Sequence, residues 1–204
     1  MAIARETAPT RRGRETRARI VAVAAELFAA DSVAGTSIED VCAAAGVSVS
    51  QVYHYFQNKN GLVRAVIVHR AESAPDGDSR GLDGVAKLQR WCDNAIATQV
   101  ERQFVGGCEL GSLAAELAET DDDLRHELAE AFVRWEGPLR TGLRAMHGRG
   151  ELVADADPDA LAVVLLAALQ GGILLTQTRR DVMPLKTSLD AAMHYVRAHV
   201  RQAY

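Results

Sequence analysis

Residues 37–59 read S-I-E-D-V-C-A-A-A-G-V-S-V-S-Q-V-Y-H-Y-F-Q-N-K, a pattern that predicts two short helices joined by a tight turn. Ser37, followed three residues later by Asp40, fits an N-cap with an acid at N3, where a carboxylate meets free backbone N–H groups. Gly46 suits the left-handed conformation that often ends a helix. The first helix is therefore expected to end at this glycine.

The second helix of the pair has an unusual outward face. Ser48 and Gln51 repeat the capping pattern at its start. Val52 and Phe56, four positions apart, point to one side and predict a buried stripe. The residues left to face solvent or a partner are Ser50, Gln51, His54 and Tyr55. Hydroxyls, an amide and rings, followed by Lys59, suit the phosphates and base edges of DNA.

Composition favours an all-α globular protein with one large domain or two small ones. The chain has 204 residues, of which 48% are hydrophobic, 25% charged and only 5% aromatic. Alanine is abundant and β-branched runs are few, which favours close-packed helices. The N-terminus lacks an apolar signal core, and the longest apolar run, Ala160–Leu169, predicts a buried helix rather than a membrane span. We therefore expect a cytoplasmic protein.

Charge is divided unevenly along the chain. The net charge of −4 argues by itself against a nucleic-acid binder. Residues 1–70, however, contain 9 Lys and Arg against 6 Asp and Glu, a net +3, whereas residues 71–204 contain 14 against 21, a net −7. A basic N-terminal unit joined to an acidic body fits a protein that contacts a polyanion through one end.

The periodicity predicts three segments: a disordered basic arm at residues 1–13, a helix-turn-helix unit with a connecting helix at 14–73, and a helical body at 80–204. The polar break at 74–79 separates the last two. Besides the two capped helices, the predicted helices are 14–30, 59–73, 82–103, 112–119, 120–146, 158–178 and 185–202. Pro138 is expected to kink the long helix that contains it.

Arginines near the N-terminus are open to two interpretations. Arg14 and Arg17 begin the first periodic segment, after Arg11 and Arg12 in the arm. They are candidates for contacts with DNA phosphates or with an adjacent minor groove. A solvated terminal tail is the alternative, because basic termini are common.

Catalytic and metal-binding signatures are missing from the sequence. It contains no HExxH, P-loop, GxSxG or paired-cysteine motif, which argues against an enzyme. Cys42, Cys92 and Cys108 are odd in number and have no metal-ligand spacing. We expect reduced thiols and neither a cofactor nor a metal.

With these residues in view, the N-terminal unit resembles the TetR family of one-component transcriptional repressors over about residues 14–70. The motifs that carry this likeness are A-x-x-L-F at 24–28, T-S-I-E-D-V at 36–41, A-G-V-S at 45–48, V-Y-H-Y-F at 52–56, and N-K at 58–59 with Leu62. The body more weakly resembles the branch typified by lincomycin-resistance repressors, through G-C-x-L-G-S-L at 107–113 and W-x-x-x-L at 135–139. Glu109 departs from the proline common in that branch.

The resemblance implies roles for individual residues in DNA binding. The second helix of the pair would be the recognition helix, with Ser50 and Gln51 reading bases and Val49 contacting a thymine methyl group. The remaining implied contacts are Ser37, Ser48, Tyr53, His54, Tyr55 and Lys59. Tyr53 has packing against the first helix as an alternative role, and His54 has that of an exposed spectator.

The resemblance also implies a homodimer that binds a palindromic operator and is released by a small apolar or aromatic effector. Helices 158–178 and 185–202 would form a four-helix interface, and motion of helix 59–73 would transmit effector binding to the DNA-binding unit. Lincosamides, flavonoids and other planar apolar compounds are suggested by the branch alone. A DNA-binding activator and a ligand-independent DNA-binding dimer are the alternatives.

Effector contacts are expected from large or polar residues on several helices of the body. The apolar candidates for a shared cavity wall are Trp91, Phe104, Phe132, Trp135, Leu139 and Leu174. The candidates for orienting hydrogen bonds are Gln99, Gln170 and Thr178. For each large residue, ordinary core packing is the alternative. Cys108 is a weaker candidate as a redox sensor, because nothing near it in sequence indicates a lowered pKa.

Overall fold

The computed structural model describes residues 10–72 and 81–201, and within them the chain folds into nine helices. The helices are α1 (Arg11–Gly35), α2 (Ile38–Ala45), α3 (Val49–Phe56), α4 (Lys59–Glu72), α5 (Val85–Glu101), α6 (Glu109–Leu117), α7 (Asp122–Gly148), α8 (Pro158–Arg179) and α9 (Met183–Ala198). The β structure of this described part is one isolated antiparallel bridge between Leu152 and Val200. The all-α prediction is confirmed.

Two compact units divide the chain, residues 1–69 and residues 70–204. The first unit contains α1, α2, α3 and most of α4. Its core consists of aliphatic and aromatic side chains from all four helices: Ile20, Val21, Ala24, Phe28, Ile38, Val41, Val52, Phe56, Leu62, Val63 and Val66. These positions recur at helical spacing, so each helix buries one stripe.

Helix α1 begins earlier and ends later than the sequence pattern predicted. Thr10 caps it, because its hydroxyl accepts a hydrogen bond from the Gly13 N–H at 3.1 Å. Residues 11–13 are therefore helical, and the prediction of a disordered arm is wrong for them, while residues 1–9 lie outside the described residues. At the other end Ser32 is non-helical, with φ of 66°, and the helix resumes to Gly35.

The second unit is built around α8 and α9. Its core contains large apolar residues from α5, α7, α8 and α9, among them Leu88, Trp91, Leu139, Leu143, Met146, Leu161, Leu165, Leu169, Leu185, Leu189 and Val196. Gly172 allows the close approach of the two last helices: a Cβ there would lie 2.4 Å from Ser188 Oγ and 2.9 Å from Leu185 Cα. The Leu185 N–H also donates to the buried Thr176 hydroxyl at 3.1 Å.

Several predicted helix ends in the second unit need correction. Helix α6 begins at Glu109, three residues before the predicted start at residue 112. Helix α7 continues through Pro138 as one helix of 27 residues. The predicted polar break at 74–79 and the chain end at 202–204 lie outside the described residues.

Helix α8 is more apolar than its longest unbroken run indicated. One window within Pro158–Arg179 reaches a mean hydropathy of 1.9, enough by length and composition for a membrane span, and 44% of that window is buried inside the protein. Such a helix is weak evidence for a membrane, because core helices of soluble proteins pass the same test.

Candidate functional site

Helix α2 is held at both ends as its sequence predicts. The Ser37 hydroxyl accepts from the Asp40 N–H at 3.1 Å, and the Asp40 carboxylate accepts from the Ser37 N–H at 2.8 Å. The hydrogen bonds from the Ser37 hydroxyl and N–H lower the pKa of Asp40. This cap therefore stabilises the fold at pH values above the ordinary pKa of Asp and weakens as pH falls through the lowered one. Gly46, with φ of 62°, ends the helix.

Helix α3 opens with a second capping box, and this box involves the predicted base readers. Gln51 Oε1 accepts from the Ser48 N–H at 3.0 Å, while the Ser48 hydroxyl accepts from the Gln51 N–H at 3.3 Å. The Ser50 hydroxyl lies 3.0 Å from that of Ser48. Gln51 thus holds the helix start with its carbonyl oxygen, and its Nε2 amide group is the part left to meet a base.

The outward face of α3 carries the polar set that its sequence predicts. Val52 and Phe56 are buried. Ser50, Gln51, Tyr53 and His54 are exposed, whereas Val49 and Tyr55 are half-buried. Tyr53 is 47% exposed, so nearly half of its surface is open to solvent or a partner. The helix therefore presents hydroxyls, an amide and aromatic rings to solvent on one side.

The start of α1 lies beside the second half of α3. The Arg17 guanidinium stands 5.2 Å from the centroid of the Phe56 ring, a cation–π geometry. A Cβ added to Gly13 would lie 3.5 Å from the Tyr55 hydroxyl. Arg14 is exposed on the same helix. Basic groups of α1 are thus placed next to the aromatic end of α3.

The first residues of α4 are fixed against α3 by a glycine that sequence reasoning missed. A Cβ on Gly61 would lie 1.9 Å from the carbonyl oxygen of Phe56, a distance that real Cβ atoms do not show. The Asn58 side chain accepts from the Gly61 N–H at 2.8 Å and so caps the start of α4. Lys59 follows as the first, half-buried residue of α4.

The second unit contains a cavity of about 340 Å³ between α6, α7 and α8. Its lining residues are Cys108, Gly111, Ser112, Ala114, Ala115, Phe132, Gln170, Gly171, Ile173, Leu174 and Gln177. Of the nine residues predicted from sequence to contact an effector, the structure brings Phe132, Gln170 and Leu174 to this cavity. Small residues of α6, which the sequence gave no reason to select, form the opposite wall.

The other six predicted effector contacts lie outside this lining: Trp91, Gln99, Phe104, Trp135, Leu139 and Thr178. Trp91 and Leu139 are buried in the core of the second unit, and Gln99 is buried with its Oε1 unpaired. Phe104 follows α5 with φ of 63°, and its carbonyl accepts a hydrogen bond from Arg180. Thr178 is exposed, and its hydroxyl donates to the Leu174 carbonyl at 2.8 Å. Trp91 and Leu139 thus pack in the core and do not enclose the cavity.

The last residues of α4 belong to the second unit, and two of them contact other helices of that unit. Arg70 forms an ion pair with Glu109, in which both side chains are largely buried. Trp135 Nε1 donates to the Ala71 carbonyl at 3.2 Å, and its ring meets that of Phe132 edge-on with centroids 5.9 Å apart. Glu109 was recognisable in the sequence only as a departure from a common proline.

Cys108 lies at the junction of the cavity and α6. Burial raises the pKa of its thiol, although the hydrogen bond from the Gly111 N–H and the nearby amide of Gln170 act in the opposite direction. A buried neutral thiol reacts slowly with electrophiles, since the thiolate is the nucleophile. The environment of Cys108 therefore does not favour a redox-sensing role.

A capped helix pair with a polar outward face, on a three-helix unit joined by α4 to a helical body, defines a helix-turn-helix regulator. Residues 20–66 match the bacterial regulatory proteins of the tetR family, and residues 84–192 match the tetracyclin repressor-like C-terminal domain. The chain belongs to the TetR family of transcriptional regulators. It is a regulator rather than an enzyme.

Relatives that match most of the chain are also transcriptional regulators. The transcriptional regulator AcuR of Cereibacter sphaeroides is 31% identical over 153 residues, which cover 72% of this chain and 70% of AcuR. The repressor DhaR of Mycobacterium sp. is 28% identical over 175 residues, covering 83% and 86%. A TetR transcriptional regulator from Chloroflexus aurantiacus has a crystal structure that matches with a TM-score of 0.76, at 28% identity, over 95% of this chain and 100% of that one.

Proposed function

We propose that the protein is a ligand-responsive transcriptional repressor that acts in the cytoplasm, binds a palindromic operator as a homodimer, and is released by a small apolar molecule. The observation that carries this proposal is the exposed polar face of α3, a helix whose start is fixed by a capping box. Such a polar helix surface suits the major groove, where base edges are read by hydrogen bonds. The name of the relative DhaR, a repressor, favours repression over activation.

Base reading is assigned to Ser50 and Gln51, with Val49 as a partner for a thymine methyl group. Because Gln51 Oε1 bonds the Ser48 N–H, a bidentate contact with adenine requires this oxygen to share or leave its cap. Phosphate contacts are assigned to Ser37, Ser48, Tyr53, His54, Tyr55, Lys59, Arg14 and Arg17. Their hydroxyl, imidazole and cationic groups position the helix without carrying sequence information.

Dimerisation is supported by uncharged stripes on the last two helices. Helix α8 exposes one stripe at Val163, Ala167, Gly171, Leu174 and Leu175, and helix α9 exposes another at Met183, Thr187, Ala191 and Tyr195. Val163 and Leu174 are 48% and 62% exposed, and several exposed apolar residues along one helix favour a protein partner. A two-fold interface would place the two recognition helices about 34–36 Å apart, one turn of DNA.

Effector coupling is assigned to the last turn of α4. The first turn of α6 lines the cavity through Gly111 and holds Arg70 through Glu109. On α7, Phe132 lines the same cavity and contacts Trp135, which bonds the Ala71 carbonyl. An effector that shifts either wall therefore acts on α4, the helix that continues into the DNA-binding unit. A coupling of about 1–3 kcal/mol would change operator affinity roughly 5- to 150-fold.

A gel-shift experiment tests the proposed function. The purified protein is titrated into DNA from upstream of its own coding sequence and into a random duplex of equal length and composition, at one fixed salt concentration. We expect tighter binding to the upstream DNA and a weakened, less selective complex for Gln51→Ala. Equal affinity for the two duplexes would contradict the regulator function, whereas unchanged selectivity of Gln51→Ala would contradict only the role of Gln51.

A further inference from the structure

The lining of the cavity in the second unit is uncharged. Its polar side chains are Ser112, Gln170, Gln177 and the thiol of Cys108, and the remaining lining residues are apolar or glycine. Burial keeps the Cys108 thiol in its neutral form by raising its pKa. The nearby carboxylate of Glu109 is paired with Arg70 and is not part of the lining. A charged ligand would therefore lose its hydration here without meeting an opposite charge.

One side chain of the lining has an unused hydrogen-bond donor. Gln170 Nε2 is buried and has no hydrogen-bond partner among the described residues. Its amide lies near the Cys108 sulfur and favours the thiolate there, but sulfur is a weak acceptor and the approach does not reach hydrogen-bond geometry. The same amide turns its oxygen toward α6, since a Cβ on Gly111 would lie 3.1 Å from Gln170 Oε1.

Two other polar groups of this lining, Ser112 and Cys108, already have hydrogen-bond partners. The Ser112 hydroxyl donates to the Cys108 carbonyl at 3.1 Å, and the Cys108 sulfur accepts from the Gly111 N–H at 3.3 Å. A buried donor without an acceptor is unfavourable in an apolar surrounding, so a ligand that supplies an acceptor gains from this arrangement. Gln170 is thus the lining side chain best placed to select a ligand by its chemistry.

We propose that this cavity takes a compact, uncharged, mostly apolar molecule with one hydrogen-bond acceptor, which receives its hydrogen bond from Gln170 Nε2. The inference rests on the proposed function, for which it names the class of effector. The apolar body of the ligand packs against Phe132, Ile173 and Leu174. A volume of about 340 Å³ is near the lower end of the roughly 300–1,000 Å³ usual for ligand sites, which favours a single-ring molecule over a large polycyclic one.

Three molecules of nearly the same shape test the effect of ligand charge and the effect of the hydrogen-bond acceptor separately. Acetophenone is neutral with a carbonyl acceptor, α-methylstyrene replaces that oxygen by a methylene group, and benzoate carries a charge. Isothermal titration of the full-length protein measures each affinity. We expect one acetophenone per chain, and benzoate at least about tenfold weaker because its carboxylate finds no cation in the lining. Equal or tighter binding of benzoate would overturn the assignment of a neutral ligand.

The role of Gln170 is tested by the ratio of the acetophenone affinity to the α-methylstyrene affinity. When this ratio is compared between wild type and a variant, the difference in hydrophobicity of the two molecules cancels. In Gln170→Met this ratio should fall about 2- to 12-fold, the range of one neutral hydrogen bond. In the matched control Gln177→Met, which replaces another amide of the same lining, the ratio should stay within about twofold of the wild-type value. Gln170→Leu provides a second variant if Gln170→Met does not fold.

An unchanged ratio in Gln170→Met, or the absence of binding by all three molecules, would overturn the inference. Neither result bears on the affinity of the protein for its operator, which the gel shift measures without any ligand. A protein that selects its upstream DNA but fails these titrations would keep its function as a DNA-binding regulator and lose this effector class. Failure to select DNA would contradict the proposed function itself.

Discussion

Gln51 shows how one side chain can serve both the fold and the proposed DNA contact. Its Oε1 closes the capping box of α3 on the Ser48 N–H, and its Nε2 amide group is left on the exposed face. Capping and base reading are separable, because glutamate closes a capping box as well as glutamine but cannot donate to a base. Ser48 and Gln51 were recognisable from sequence as a pair because a capping box joins residues three positions apart.

Gln51→Glu should keep the stability of the protein and lose its preference for the operator. We expect a free energy of unfolding within about 0.5 kcal/mol of wild type, because the cap persists, as measured by urea denaturation. Operator binding should weaken by about 1–3 kcal/mol per half-site, through the lost base contact and the added negative charge. Gln51→Ala serves as the control that removes both roles. Operator affinity of Gln51→Glu equal to wild type would refute the base-reading role.

Among the helices, features decided by neighbouring residues were predicted well from sequence, whereas features decided by tertiary packing were not. The caps of α2 and α3 are formed by residues three positions apart, so the sequence contains everything that decides them. The early start of α1 was missed, because residues 11–13 are arginines and a glycine without an apolar period. Gly61 was missed because its importance lies in a contact with the Phe56 carbonyl, which no local pattern reports.

The cavity illustrates the same limit for the candidate site. Sequence reasoning selected large residues as its walls, but Trp91 and Leu139 complete the core instead. Space remains where side chains are small, at Gly111, Ala114 and Ala115 on α6. Which small residues face a void depends on the packing of three helices, and that is a tertiary property. Gln170 was selected as a polar residue on an apolar helix and lies in the cavity lining, and its role as a ligand contact stays a prediction.

The junction between α3 and α4 yields a test by substitution of a single glycine. Gly61→Ala places a Cβ against the Phe56 carbonyl, so the backbone must shift, and we expect a loss of about 1–3 kcal/mol in the free energy of unfolding. Gly148→Ala is the matched control, since its Cβ meets open space at the exposed end of α7, and helix propensity should make it neutral or stabilising by up to about 1 kcal/mol. Equal effects of the two substitutions would show that the close approach at Gly61 is unimportant.

The link between the cavity and α4 can be tested through its ion pair. Glu109 does not line the cavity, so Glu109→Gln should leave the affinity for acetophenone unchanged. The factor by which acetophenone weakens operator binding should fall toward one, because Arg70 loses its partner on α6. Exchange of the two charges, in Arg70→Glu with Glu109→Arg, should restore part of that factor. Full coupling in Glu109→Gln would exclude this ion pair as the link.

At the scale of the whole molecule, the proposed DNA contact uses the basic N-terminal unit of each chain. A two-fold dimer would present two such units to one operator. The exposed apolar stripes of α8 and α9 provide a surface for such a two-fold assembly. Gly172 does not contribute to it, because it is used inside the chain against α9, whereas Gly171 is exposed with open space at its Cα. The proposed dimer therefore rests on α8 and α9 together.

Leu175→Arg should convert the dimer to a monomer without unfolding it. Leu175 is 45% exposed in the single chain, so arginine is tolerated there, whereas a charge buried at an apolar interface is strongly unfavourable. Sedimentation velocity should give twice the chain mass for wild type and the chain mass for Leu175→Arg. Ala97→Arg, at an exposed position on α5 outside the stripes, is the matched control and should remain dimeric. A wild-type monomer at all concentrations would contradict the interface.

Hydroxyl-radical footprinting of the full-length protein on its upstream DNA tests the central claim most directly, since it reports the recognition helix and the dimer together. We expect two protected half-sites related by two-fold symmetry, with centres about 10–10.5 base pairs apart or a multiple of that spacing, one for each α3 in a major groove. A single asymmetric patch, or protection no stronger than on random DNA, would contradict the account.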